Sequence, residues 1–146
     1  MLRDMIKNLS NGFENIRGEN ISLVDERMEI AAMYKGTPQN EIGVRTDVMC
    51  NLPKSIGIKM MIRSMAPKII ATDEIGGRDD LEAIKEASFM GTKLLLTMHG
   101  KDIEDISKDF LEGNMFKNII ILTKKQKPGE IKKIYKLEDK NYVVSS

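Results

Sequence analysis

Apolar residues recur along this chain in two rhythms. Leu2, Met5, Ile6 and Leu9 follow the i, i+3, i+4, i+7 spacing of an amphipathic helix, which Asn11-Gly12 closes. The same stripe returns from Lys54 in Ile58, Met61, Ile62 and Met65, with Pro67 beyond its end, and after Asp79-Asp80 in Leu81, Ile84 and Ala87. Residues 101–113 (KDIEDISKDFLEG) read as a further helix. Between the helices stand short, near-continuous apolar runs: ISLV (21–24), KIIA (68–71), LLLT (94–97) and NIIIL (118–122). Such runs belong to strands buried on both faces. Their alternation with helices predicts an α/β fold, a mostly parallel sheet flanked by helices. Residues 36–53 (GTPQNEIGVRTDVMCNLP) have no clear period and predict a long loop. Lys127-Pro128-Gly129 predicts a turn, and EIKKIYKLED (130–139) a charged strand at a sheet edge.

Ligands of parallel sheets sit at the carboxyl ends of the strands. Three polar clusters fall there: Asp25-Glu26-Arg27, Asp73-Glu74 and Thr97-Met98-His99. An aspartate that ends a buried strand can hold Mg²⁺ through water, and a glutamate one residue on can orient an attacking water. Asp73 and Glu74 stand so, after IIAT. The plainer reading is that Asp73 caps the next helix and Glu74 is solvated. His99 is the only histidine, which argues against a multi-histidine zinc site; it is either a packed side chain or a polar group aimed at a ligand. Arg45 and Arg63 are candidates for anion contact or ordinary exposed arginines. Cys50 reads as a small half-buried side chain, and the methionines as core filling.

Composition narrows the classes. A chain of 146 residues is one domain by length, and 31% charged with 41% hydrophobic residues is ordinary for a soluble globular protein. A net charge of +1 gives no whole-chain field for nucleic acid or an anionic membrane. A single cysteine excludes an internal disulfide and points to a reducing compartment. No apolar run approaches the ~20 residues that span a bilayer. Arg3, Asp4 and Lys7 interrupt the first apolar residues, unlike a signal peptide. The first helix is already in register at residue 2, a start open both to a complete protein and to a chain cut from a longer one.

VDERMEIA (24–31), TPQNEIGVRTDV (37–48), PKSIGIKMMIRSMAP (53–67), IIATDEIGGRDDLEAIKEA (69–87), GTKLLLTMHG (91–100) and IYKLED (134–139) carry a resemblance that covers nearly the whole chain. In order and spacing they resemble the C-terminal part of the ATPase domain of the stage III sporulation protein AA family, relatives of the ring-forming secretion and pilus ATPases. The resemblance implies a RecA-like P-loop NTPase core in which DEIG is the Walker B segment. Asp73 would take the magnesium role, Glu74 the water-orienting role and His99 a phosphate-sensing role. Asp25 and Glu26 would lie in an acidic segment near the nucleotide, with Arg63 as a candidate contact. Gly77 stands where many members carry a basic residue. ATP and Mg²⁺ are the implied cofactors of the intact protein, and a ring of copies and subunits of a sporulation membrane complex its implied partners. No nucleic acid is expected, and the implied location is cytoplasmic, peripheral to that complex.

The phosphate-binding motif G-x-x-x-x-G-K-[ST] does not occur in these 146 residues. The expectation is therefore a partial P-loop ATPase domain over 1–146 without a second domain, truncated so that the P-loop strand is missing, and inactive alone. The alternative is a non-enzymatic module that binds partner subunits.

Overall fold

The computed structural model describes residues 1–123 and 129–145. The chain forms two compact units, one from Met1 to Met98 and one from His99 onward.

In the first unit, helix α1 (Leu2–Asn11) leads into a small hairpin of β1 (Gly12–Phe13) and β2 (Ile16–Arg17). Strand β3 (Ile21–Asp25) is followed by a second small hairpin, β4 (Met33–Tyr34) with β5 (Thr37–Pro38). Then come β6 (Thr46–Cys50), α2 (Lys54–Ser64), β7 (Ile69–Thr72), α3 (Arg78–Phe89) and β8 (Lys93–Leu96). The four longer strands form a parallel sheet in the order β6-β3-β7-β8. Every residue of β3 and β7 is buried, which is why those two runs are apolar without alternation.

The pleat sends alternate residues to opposite faces. Ile21, Leu23, Ile69 and Ala71 join Leu2 and Ile6 of α1, with Ala31 and Ile42, in one buried cluster. Ser22, Val24, Ile70 and Thr72 point to the other face, and α2 packs there against β3. A Cβ on Gly57 would lie 2.6 Å from Val24 Cγ1, so glycine at this position lets α2 approach the strand. Each fully buried Ile, Leu or Met contributes about 1.5–3 kcal/mol, and Ile58, Met61, Ile62, Leu81 and Ile84 of the two helices are all buried.

One expectation for this unit is corrected. The segment 36–53 is not simply a loop, because residues 46–50 pair in parallel with β3, from Ile21↔Thr46 to Asp25↔Cys50. Thr46 and Asp47 hide this strand from the apolar pattern; its neighbour β3 makes it.

In the second unit a 3-10 turn (Ile103–Asp105) and helix α4 (Lys108–Leu111) precede β9 (Asn118–Thr123), β10 (Glu130–Glu138) and β11 (Asn141–Val144). These strands form a separate antiparallel sheet in the order β11-β10-β9. Three further expectations change here. The run NIIIL lies in this sheet and is not a strand of the parallel one. The charged strand over 130–139 is central, because Asp139 and Lys140 (φ 46° and 67°) turn the chain and bring NYVV beside it. The helix expected over 101–113 is broken, because Asp102 accepts from Tyr135 (2.5 Å), Lys133 (2.9 Å) and Lys132 (3.2 Å) and so holds its segment out of helical geometry. Of the turn expected at Lys127-Pro128-Gly129, the first two residues lie outside the described residues; Gly129 has φ 89°.

Candidate active site at the carboxyl rim

The chain leaves β3 toward β6 and leaves β7 toward β8. Neighbouring strands whose connections depart in opposite directions open a crevice at their carboxyl ends, and ligands of such sheets bind there. Asp25 to Arg27 and Asp73 to Glu74 occupy this crevice.

Asp25 is fully buried at the end of β3. Its Oδ1 accepts the Glu29 N–H (3.0 Å), and its Oδ2 accepts those of Ile30 (3.1 Å) and Ala31 (2.8 Å). Bonds from backbone amides to a carboxylate are the strong, charge-assisted kind, so this side chain fixes the loop that follows the strand. Both of its oxygens are engaged in that task.

Lys54 starts α2 one turn before Ile58, on the same stripe as the buried side chains. Only 9% of its side chain is exposed, and its Nζ lies 2.8 Å from Glu26 Oε2 and 3.8 Å from Asp73 Oδ1. Burial pulls the ammonium's pKa down, but the hydrogen bond to Glu26 and the charges of Glu26, Asp73 and Asp80 outweigh it, so the value is raised. Burial lifts the Asp73 carboxyl above its usual range; Lys54 opposes this and the Asp25 charge adds to it.

Glu74 follows with a left-handed backbone, φ 43°, a conformation that costs a non-glycine residue of order 1 kcal/mol or more. Hydrogen bonds to β8's extension hold it there: Glu74 N–H donates to Thr97 Oγ1 (3.1 Å) and Ile75 N–H to Thr97 O (2.9 Å). The turn separates two like charges. Asp73 faces the buried ammonium, with 14% of its side chain exposed, whereas Glu74 is 42% exposed and ion-paired with Arg27. Arg27 also lies 3.5 Å from Glu29, and the charge of Glu29, then the charge and hydrogen bond of Glu74, raise its pKa.

The structure thus brings Glu26, Arg27, Asp73 and Glu74 together and adds Lys54, which the sequence reading passed over. Its signal was a lysine on an otherwise apolar stripe. Arg63 is at the far end of α2, about 13 Å along the axis from Lys54, and pairs with Glu86 at 3.1 Å. Arg45 donates to the Ser10 carbonyl (3.2 Å). Cys50 is a half-buried free thiol. The Gly77 N–H faces Asp80 Oδ2 at 3.4 Å, at the start of α3. His99 is exposed and opens the second unit. Among the described residues no three His, Cys, Asp or Glu side chains cluster to hold a metal ion, and no helix is long and apolar enough to cross a membrane.

This architecture is an α/β fold, a parallel sheet flanked by helices with acidic residues at its carboxyl rim. The X-ray structure of the Legionella pneumophila ATPase DotB shares it, with TM-score 0.60 at 14% identity over 92% of this chain and 41% of that one. The model of the family "Sporulation stage III, protein AA" matches residues 1–142. Stage III sporulation protein AA of Bacillus subtilis (strain 168) is 36% identical over 140 residues, covering 92% of this chain and 46% of the relative. The chain belongs to the sporulation stage III protein AA family, and it spans about half the length of that relative.

Proposed function

We propose that the carboxyl rim is the magnesium- and water-handling half of an ATP-hydrolysing site. In the intact protein, hydrolysis would drive assembly or transport at a membrane complex during sporulation, with the copies arranged in a ring. The observation that carries this reading is the division of labour between the two adjacent carboxylates. Asp73 is held inward against Lys54, and Glu74 is turned outward by its left-handed backbone. Membership of the family and the fold shared with an ATPase support ATP as the substrate class.

Mg²⁺ takes one or two carboxylates and fills the rest of its shell with water and substrate phosphates. A hard oxygen on Asp73 fits that manner of binding. When bound, the ion would supply charge neutralisation on the phosphates. The protein's own residues do the rest. Lys54 opposes the burial effect on Asp73 and favours its ionised form. Glu74 accepts a hydrogen bond, and then a proton, from the attacking water, with Arg27 fixing its carboxylate. Exchange of Arg27 from Glu74 toward the incoming phosphates would free the base. His99 is assigned the phosphate-sensing role by family resemblance.

In the intact protein, Glu74→Gln is expected to retain ATP binding and to lower turnover by ~10²–10⁴-fold, the usual worth of a general base. Steady-state phosphate release and nucleotide binding, measured on the same preparation, separate the two effects. Normal turnover in Glu74→Gln would remove the catalytic assignment. Absence of hydrolysis in the unmodified intact protein would favour an interaction module.

A further inference from the structure

Lys54 stands where helix stability does not call for a cation. It is the first residue of α2, at the positive end of the helix dipole. The first turn of α1 carries Asp4 and that of α3 carries Asp79 and Asp80, whereas that of α2 has no acidic residue. The lysine side chain is also nine-tenths buried, and an ammonium taken out of water needs compensation. That compensation comes from two other elements: Glu26, just beyond β3, and Asp73, just beyond β7.

The contacts are few for so buried a cation. An ammonium has three N–H donors. Among the described residues Lys54 gives one of them to Glu26 Oε2, at 2.8 Å. Asp73 Oδ1, at 3.8 Å, is within reach of the charge but beyond a hydrogen bond. The remaining donors are left for water or for the oxygen atoms of a ligand. An apolar side chain of the same length would suit the stripe and the dipole better. It would also leave Glu26 and Asp73 as an uncompensated pair of carboxylates, and Mg²⁺ needs no more than one or two.

We propose that Lys54 is a resident cation that keeps free divalent ions out of the place between Glu26 and Asp73. The magnesium ion then enters only together with phosphates, whose oxygens give the spare donors of the ammonium acceptors of their own and draw it off the carboxylates. The inference rests on the reading of Asp73 as the magnesium ligand. It adds the residue that couples entry of the metal to entry of the nucleotide.

The test uses Mn²⁺, which takes the same oxygen ligands and whose free form is counted by electron paramagnetic resonance. The unmodified 146-residue chain is expected to show no binding that depends on Asp73. Lys54→Met should bind Mn²⁺ at least ~10-fold more tightly, and the ion should raise its Tm. Lys54→Arg, which keeps the charge, should behave as the unmodified chain. Lys54→Met combined with Asp73→Asn should lose the gain. Far-UV circular dichroism follows the fold of each variant with and without the ion. Failure of Lys54→Met to bind Mn²⁺, whether or not it folds, would overturn the proposal. Binding by the unmodified chain that Asp73→Asn abolishes would overturn it too, while keeping Asp73 as the ligand. Binding to Lys54→Met that persists with Asp73→Asn would instead remove the metal assignment of Asp73 itself.

Discussion

At the scale of single residues, Asp73 is a side chain whose environment opposes its charge. Burial raises its carboxyl pKa, so the folded state holds the proton more tightly than the unfolded chain does. Stability contributed by such a group falls as pH rises from the unfolded pKa through the raised folded one. Asp73→Asn, which keeps the shape and removes the charge, is therefore expected to raise Tm at pH 7 by a few degrees, the shift that ~1 kcal/mol produces in a chain of this size. The gain should fade as pH falls through the raised folded pKa and be gone below about pH 4, where the aspartate is protonated in both states. Lys54 keeps Glu26 as a partner at 2.8 Å in that variant, so no buried cation is stranded. A drop in Tm at pH 7 would mean that the Asp73–Lys54 attraction outweighs burial. The pairing of Asp73 with Glu74 was legible in the sequence as two carboxylates after a buried strand. Lys54 was not, since the tertiary fold alone brings the start of α2 beside residues 26 and 73.

Elements depend on neighbours in the same way, and β10 shows it in the second unit. Asp102 accepts from Tyr135 at 2.5 Å, from Lys133 and Lys132, and from the Ile103 N–H at 3.0 Å. These bonds, that of Tyr135 foremost, hold its carboxyl far below the usual range. A depressed carboxylate stabilises the fold above its unfolded pKa, and that contribution is lost as pH falls toward the folded value. Asp102→Asn should accordingly lower the thermal stability of the second unit at pH 7, with the deficit shrinking below about pH 4. Circular dichroism melts across pH, with amide exchange on β10, check it. A deficit that stays constant with pH would assign the effect to packing. The same carboxylate explains the broken helix over 101–113: apolar spacing favours a helix there, and a partner on β10 some thirty residues away overrides it.

On the scale of the whole molecule, the carboxyl end of the parallel sheet gathers Glu26, Asp73 and Glu74 around Lys54 and Arg27. Nucleotide phosphates need more than the acidic rim supplies. Their main contacts come from the amides and lysine of a G-x-x-x-x-G-K-[ST] loop, and the 146 residues contain no such segment. Titration calorimetry of this chain with Mg-ATP is expected to show no binding in the low micromolar range. Such binding would point to a nucleotide pocket built from other residues.

The sequence by itself determined what rests on local pattern: helices with a 3.6-residue stripe, buried strands as unbroken apolar runs, and acidic residues at the ends of β3 and β7. It carried the family resemblance for the same reason, since motifs are local strings. Only the tertiary structure decided what rests on pairing between distant segments. It made a strand of Thr46 to Cys50 by laying it beside β3, and placed β9 in an antiparallel sheet with β10. It sent Arg63 away from the candidate site and brought Lys54 into it. Strand pairing and ion pairing join residues that are tens of positions apart, and no local window of the sequence contains both partners.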